Sequence, residues 1–265
     1  MDGLDQFKQS QKEGWKHFAP LEAVTTAAAA RLVQFAGVAK GMRVLDVGCG
    51  TGVVAVTAAR HGAQVKAADL TPQLLERARE NAQLAEVEIE FFEADVEALP
   101  FQKEEFDVVL SQFGHIFAPR PEVAVREMLR VLRPGGTIAF ASWPPEMLIG
   151  QTNAIGARYM PPLPPGVPSP ILWGDISVVR ERLEGLVEDL FFDRGHLLIP
   201  ALSAKHFRLN VERAAGPTIK LVQTLSATNP ERLSEFRREF DAVVTRYYRD
   251  NQVRQDFLMT RARKV

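Results

Sequence analysis

Apolar residues come in short blocks through the first 143 positions, and the blocks alternate between two spacings. Leu21 to Ala36 holds apolar side chains and an alanine run at helical spacing, with Gly37 placed to end it. Val44, Leu45 and Val47 make a short buried-strand run, Val53 to Ala59 a second helix, and Gln64 to Asp69 a second strand. Thr71 before Pro72 reads as an N-cap with proline at the first helical position, and Leu74, Leu75, Ala78 and Ala82 keep one apolar face on that helix. Val87 to Phe92 and Phe106 to Ser111 read as the third and fourth strands. Pro119 and Pro121 introduce a helix that turns Val125, Met128, Leu129 and Leu132 inward and stops at Arg133-Pro134-Gly135-Gly136, after which Thr137 to Trp143 is the fifth strand. Strands and helices in alternation, joined by short connections, predict a mostly parallel α/β sheet with helices on both faces, because right-handed crossovers place them above and below.

The rhythm breaks at Pro144. Six prolines within residues 161 to 170 predict a loop rather than a core element. A helix over Ile176 to Leu186 follows, then at least one strand within Val187 to Ile199 around a turn at Asp193-Arg194-Gly195-His196. Helical stretches over roughly 203–226 and 230–248 lead to a closing strand at Gln255 to Ala262. Residues 1–19 are polar, with Phe7, Trp15, His17 and Phe18 embedded, and too sparse in apolar residues to form a core helix alone. The expected organisation is one domain of 265 residues with no internal repeat. Residues 1–20 would be an N-terminal lid, 21–143 the ligand-binding core, 144–250 cap insertions with a late strand, and 251–265 the last strand.

Between the first strand and its helix lies Gly48-Cys49-Gly50-Thr51-Gly52, where open α/β folds bind nucleotide-like ligands. A dinucleotide fingerprint has the spacing G-x-G-x-x-G, whereas here the third glycine follows Gly50 by two and Val53 stands where that fingerprint needs glycine. The run Val44 to Gly52, with Asp46 two residues before Gly48, resembles motif I of the class I S-adenosylmethionine-dependent methyltransferases. Asp69 resembles the acidic end of their second strand, Asp95-Val96 their adenine-contacting turn, and Arg133 to Gly136 the turn before their fifth strand. The resemblance covers most of residues 43–143. It implies a Rossmann-like, mostly parallel seven-stranded sheet with an antiparallel strand near its edge and a helical and loop cap, and it implies S-adenosyl-L-methionine as cofactor.

Each matched residue then has a role that its chemistry suits. Asp69 offers two oxygens to the two adjacent hydroxyls of a ribose. Asp95 suits an adenine amino group and the Val96 backbone N–H a ring nitrogen, with Leu70 and Val96 on either side of the ring. The loop Gly48, Cys49, Gly50, Thr51 and Gly52 would lie against the methionyl part, and Asp46 either orients that loop or reaches the ammonium group through water. Ser111, Gln112 and Phe113 follow the fourth strand, a segment that touches both ligands in related enzymes. Methyl transfer is an in-line displacement, so the protein must align the reactants and exclude water and needs no covalent nucleophile. His115 is the candidate general base, by virtue of an ordinary pKa near neutrality, or else a residue that merely lines the pocket. Trp15, His17, Phe18, Trp143 and Trp173 are the further candidates for the acceptor wall.

Composition narrows the partners. Thirty-two basic against thirty-three acidic residues leave a net charge of -1, and no basic stripe interleaves with aromatics, so the expected acceptor is a small molecule rather than nucleic acid. Cys49 is the one cysteine, which removes intramolecular disulfides. The five histidines show no H-x-x-x-H pairing, so no metal site is expected. No basic flank and apolar core open the chain, and no apolar run approaches about 18 residues. A cytoplasmic protein without membrane insertion is expected. The quinone-biosynthesis and other small-molecule methyltransferases are the broad likeness, and the oligomeric state is open. Two rivals remain at this point, a cofactor-binding regulator without catalysis and an NAD-dependent oxidoreductase.

Overall fold

Adjacent apolar residues in the central strands point to opposite faces of one sheet, and both faces are covered. In the computed structural model, which describes residues 3–265, β1 (Arg43–Val47), β2 (Gln64–Asp69), β3 (Ile89–Glu93), β4 (Phe106–Gln112) and β5 (Leu132–Ser142) run parallel. Val44, Val108, Leu110 and Ala139 meet the helices α2 (Glu22–Phe35) and α3 (Val53–Arg60) on one face. Leu45, Val109, Ile138 and Phe140 meet α5 (Pro121–Val131) and α7 (Ile176–Leu183) on the other. This two-residue period with both faces buried is why these strands are nearly continuous in apolar residues. The helix α4 (Pro72–Leu84) covers β2 and β3 through Leu74, Leu75, Ala78 and Ala82.

Beyond β5 the strand pairings are antiparallel. β8 (Gln252–Lys264) runs against β5 and carries β6 (Val187–Pro200) on its far side, giving the order β3-β2-β1-β4-β5-β8-β6. The two-residue β7 (Tyr248–Arg249) pairs with β8 as an eighth strand. The expected seven-stranded Rossmann-like sheet is therefore present, with one short addition.

Three local expectations change. Residues 187–200 form one continuous strand with no turn at 193–196, because Gly195 serves packing: a Cβ there would lie 2.3 Å from the Phe257 ring. β5 begins at Leu132 rather than Thr137; the segment Arg133 to Gly136 is absorbed as an irregularity between Phe106 and Val108, with Gly135 at a φ of +68°. The long helix expected over 203–226 is two helices, α8 (Ala204–Ala214) and α9 (Gly216–Thr228), broken where Pro217 opens the second.

The segments after β5 build a second core of their own. α6 (Leu148–Ala157), α8, α9 and α10 (Pro230–Thr245) pack Leu148, Phe207, Leu221, Phe236 and Phe240 together. The buried Arg208 joins α8 to α10 through Nε to Asp241 at 2.8 Å, with its Nη1 on Glu212 at 2.6 Å. The N-terminal α1 (Gly3–Trp15) buries none of its residues fully. It rests on α9, where Gly14 and Gly216 approach so closely that a Cβ on Gly216 would be 2.7 Å from the Gly14 backbone, and where Lys220 Nζ donates to Ser10 Oγ at 2.8 Å.

Candidate functional site

A cavity of about 210 Å³ opens where the chain leaves the carboxyl ends of β1, β2, β4 and β5, the crevice in which open α/β sheets take ligands. Its floor is the glycine turn. Gly48 has a φ of +62°, and a Cβ there would sit 2.9 Å from Gly114 Cα, while one on Gly114 would sit 2.4 Å from the Gly48 carbonyl oxygen. These two glycines serve each other: the β1 and β4 ends cross in backbone contact. Gly50, with a φ of +54°, has nothing within 4 Å of its missing Cβ and lines the open cavity. Gly52, with a φ of +79°, is the N-cap of α3 facing Ala78 and does not line the cavity.

Three carboxylates line the β1 to β3 side. Asp69 Oδ1 accepts from Thr71 N and Oδ2 from Gly50 N, both at 2.8 Å, which fixes the carboxylate's orientation and leaves further lone pairs on each oxygen. Burial pushes its pKa up, opposed by those two N–H groups. Asp46 is 1% exposed. Its Oδ2 accepts from Ala55 N at 3.0 Å, and its Oδ1 has no partner although the residue lines the cavity. Burial drives its pKa well above the carboxylate range. Asp95 accepts from Glu97 N at 2.9 Å and from Lys8 Nζ at 2.5 Å. Leu70, Val96, Cys49 and Thr51 also line the space, and burial raises the Cys49 thiol well above its ordinary pKa.

The β4 and β5 side is aromatic. Phe113 takes a φ of +61°, rare for a large side chain, and its ring stacks on Trp143 with centroids 3.8 Å apart and planes at 11°. Gln112 lines the cavity, with Nε2 donating to the Thr25 carbonyl at 3.0 Å and Oε1 buried without a partner. Ser111 lies outside the lining and fastens strand ends, donating to the Val47 carbonyl at 2.6 Å and accepting from His115 N at 3.1 Å.

His115 is among the residues lining the cavity, as one of its two readings had it, but its role as a base and the place of Trp173 in the wall fail for a common reason. The His115 ring is fully buried between Phe140 and Trp173, each with its centroid 4.7 Å away, and neither ring nitrogen has a partner. Burial first, and then the charge of Arg182, lower its pKa to about 3. A base so weak and so enclosed does not deprotonate an acceptor near neutrality. Trp173 is the other half of this enclosure, 1% exposed and covered by Arg182 at 4.6 Å, so it walls His115 and not the cavity. His17 is exposed and likewise outside the lining.

The roof is α1, and no residue from 144–250 lines the cavity. Those insertions act one step back, through α9 under α1. Lys8, Gln11, Lys12 and Trp15 face the cavity from successive turns. Lys8 Nζ also reaches Glu97 at 2.6 Å, a carboxylate with a 1% exposed side chain that further binds the Arg120 guanidinium at 2.7 Å. Burial opposes the charge on Lys8, but the hydrogen bonds to Asp95 and Glu97 prevail and raise its pKa. Lys12 pairs with Glu93, and Trp15 packs on Phe117 with centroids 4.6 Å apart and on Phe18 at 5.8 Å. Lys8, Glu97 and Phe117 were not singled out by the sequence; the spacing of Lys8, Gln11 and Trp15 on one helical face was the available signal for α1.

Residues 45–140 match the family model described as methyltransferase domain. An uncharacterized protein of Mycobacterium tuberculosis is 37% identical over 234 residues, covering 88% of this chain and 85% of that protein. The chain belongs to the class I S-adenosylmethionine-dependent methyltransferases. Within that family, the demethylmenaquinone methyltransferase of Thermus thermophilus is 40% identical over 105 residues, 39% of this chain and 48% of that enzyme. Phosphoethanolamine N-methyltransferase 2 of Haemonchus contortus, solved with phosphomonomethylethanolamine and S-adenosylhomocysteine, shares the fold at a TM-score of 0.54 and 16% identity, across 90% of this chain and 52% of that one.

Proposed function

We propose that this methyltransferase binds S-adenosyl-L-methionine in the cavity under α1 and transfers its methyl group to a small molecule held at the aromatic end. The observation that carries the cofactor assignment is the set of buried acceptors left open towards the cavity. Asp46 Oδ1 is buried with no partner, and Asp69 is oriented by two backbone N–H groups with lone pairs to spare. These suit a ligand that brings an ammonium group and vicinal hydroxyls. Gly50 leaves the floor open, Leu70 and Val96 offer apolar contact to a base, and Asp95 retains lone pairs for an amino group. Bound there, S-adenosylmethionine supplies a methyl group activated by an adjacent sulfonium.

The chain's own contribution is placement and exclusion of water. α1 acts as a lid: Lys8 fastens it to Asp95 and Glu97 over one end of the cavity, and Trp15 packs on Phe117 at the other. Phe113, held by backbone pairing of its N–H to the Ala141 carbonyl at 3.1 Å, presents a fixed flat face with Trp143. A direct test supplies S-adenosylmethionine with a labelled methyl group together with a low-molecular-weight bacterial extract. Label is expected in a small product, and Asp69→Asn is expected to abolish its appearance. Label that stays with the cofactor whatever the extract would leave a binding protein without transfer.

A further inference from the structure

Sheet order separates two chemistries within the cavity. Asp46 and Asp69 lie in the last residues of β1 and β2 and Asp95 just after β3, whereas Phe113 and Trp143 follow β4 and β5 on the other side of β1. α1 spans both halves, because Trp15 lies seven residues, about 10 Å, along the helix from Lys8. The aromatic end is walled by Phe113, Trp143, Trp15, Phe18 and Phe117, with the amide of Gln112 and the neutral Thr25 as its polar groups.

Each titratable lining group is paired, enclosed or on the β1 to β3 side of the cavity. Asp69 is held by Gly50 N and Thr71 N, Asp46 by Ala55 N through Oδ2, with Oδ1 left to the ammonium group of the methyl donor, and Asp95 by Lys8 and Glu97 N. Lys8 and Lys12 are cations paired to carboxylates. Cys49 is buried in the glycine turn on the β1 side, and the His115 ring is enclosed between Phe140 and Trp173. Among the described residues, none of these is a free proton acceptor at the aromatic end.

We propose that the acceptor is a planar, apolar compound with an acidic hydroxyl group, which enters the aromatic end already ionised. The inference rests on the cofactor assignment above. A lone pair on the oxyanion forms the O–CH3 bond while the C–S bond breaks and its electron pair returns to sulfur. Anion and sulfonium both end neutral, and no proton has to move. Low-dielectric walls favour this course, since they strengthen the attraction between the two charges and do not have to accommodate a new one. A neutral amine would instead carry the positive charge over into its ammonium product, so its transfer would not cancel charge as that of an oxyanion does. A flat shape is the one that suits a wall built of the stacked Phe113 and Trp143 rings, both of which line the cavity.

The test uses the full chain and four two-ring probes: 4-hydroxycoumarin, 7-hydroxycoumarin and 2-naphthol, in order of falling acidity, and 2-naphthylamine. Calorimetry with S-adenosylhomocysteine comes first, and absence of binding there overturns the cofactor assignment and this inference together. With binding established, S-adenosylhomocysteine formation is followed from pH 5 to 10. The midpoint of kcat/KM is expected to move with the pKa of each hydroxyl, and below it the rate should fall about tenfold per pH unit. His115→Phe is expected to leave each midpoint in place. A break at one fixed pH for all hydroxyl probes overturns the inference, as does a preference for 2-naphthylamine, or the absence of turnover with all four despite cofactor binding.

Discussion

Replacing Lys8 by methionine isolates the lid's latch. The substitution keeps the length and apolar character of the side-chain stem while removing the ammonium that reaches Asp95 at 2.5 Å and Glu97 at 2.6 Å. A buried charge-assisted hydrogen bond contributes about 1.5–3 kcal/mol, and an exposed ion pair no more than about 1 kcal/mol. The Lys8 side chain is 18% exposed and Glu97 keeps Arg120 after the change, so about 2 kcal/mol for the whole latch is the reasonable figure. That corresponds to roughly a 30-fold shift of the lid towards its undocked state. Because α1 buries no residue fully, the loss should stay local. Hydrogen exchange at residues 3–15 should accelerate, and stopped-flow release of S-adenosylhomocysteine should quicken by about the same 30-fold, while the thermal midpoint of the protein hardly moves. Raised salt should speed release from the parent protein and have little effect on Lys8→Met. Unchanged exchange in α1 together with unchanged release would refute the latch, as would a loss of global stability as large as that of a core truncation.

Other outcomes follow from the glycine turn and the buried titratable groups. Gly114→Ala places a Cβ 2.4 Å from the Gly48 carbonyl oxygen and should cost about 1–3 kcal/mol in urea denaturation. Gly50→Ala meets no atom within 4 Å, so beyond about 1–2 kcal/mol of left-handed backbone strain its main effect should be weaker S-adenosylhomocysteine binding; undiminished binding in Gly50→Ala would contradict this division. His115 stays neutral in the fold down to about pH 3 but ionises near 6.5 when unfolded. The unfolded chain therefore binds the extra proton, and stability is lost as pH falls below 6.5, by up to about 1.4 kcal/mol per pH unit. That slope should be absent in His115→Phe, and superimposable pH profiles would show the ring to be accessible. Asp46 has its folded pKa raised, so its ionisation destabilises the fold as pH rises above the ordinary carboxylate range. Asp46→Asn should raise the thermal midpoint at pH 8 by about 2–4 °C per kcal/mol relieved, less so at pH 4, while weakening S-adenosylhomocysteine binding.

What the sequence made legible depends on the range of the interactions that decide each feature. β2 falls at Gln64–Asp69 and α4 begins at Pro72 after Thr71, as local pattern and turn chemistry require. Gly195 looks like a turn residue because the ring that demands a glycine, Phe257, comes from a distant strand. α1 is polar in composition, and what holds it is ion pairs to Asp95, Glu97 and Glu93 rather than an apolar stripe. Asp46, Asp69, Asp95 and the glycine loop are placed by motif spacing, and all but Gly52 of that loop do come together around one cavity. The character of His115 could not be read from its neighbours in sequence, since Trp173 and Arg182 arrive from α7 and the turn before it to bury the ring.

Isothermal titration of the protein with S-adenosylmethionine, repeated with Asp69→Asn, tests the central claim most directly. Binding at one site in the parent protein, weakened at least about tenfold by the substitution, is the expected result. No binding to the parent protein, or equal affinity in Asp69→Asn, would contradict the assignment of this cavity as the methyl-donor site.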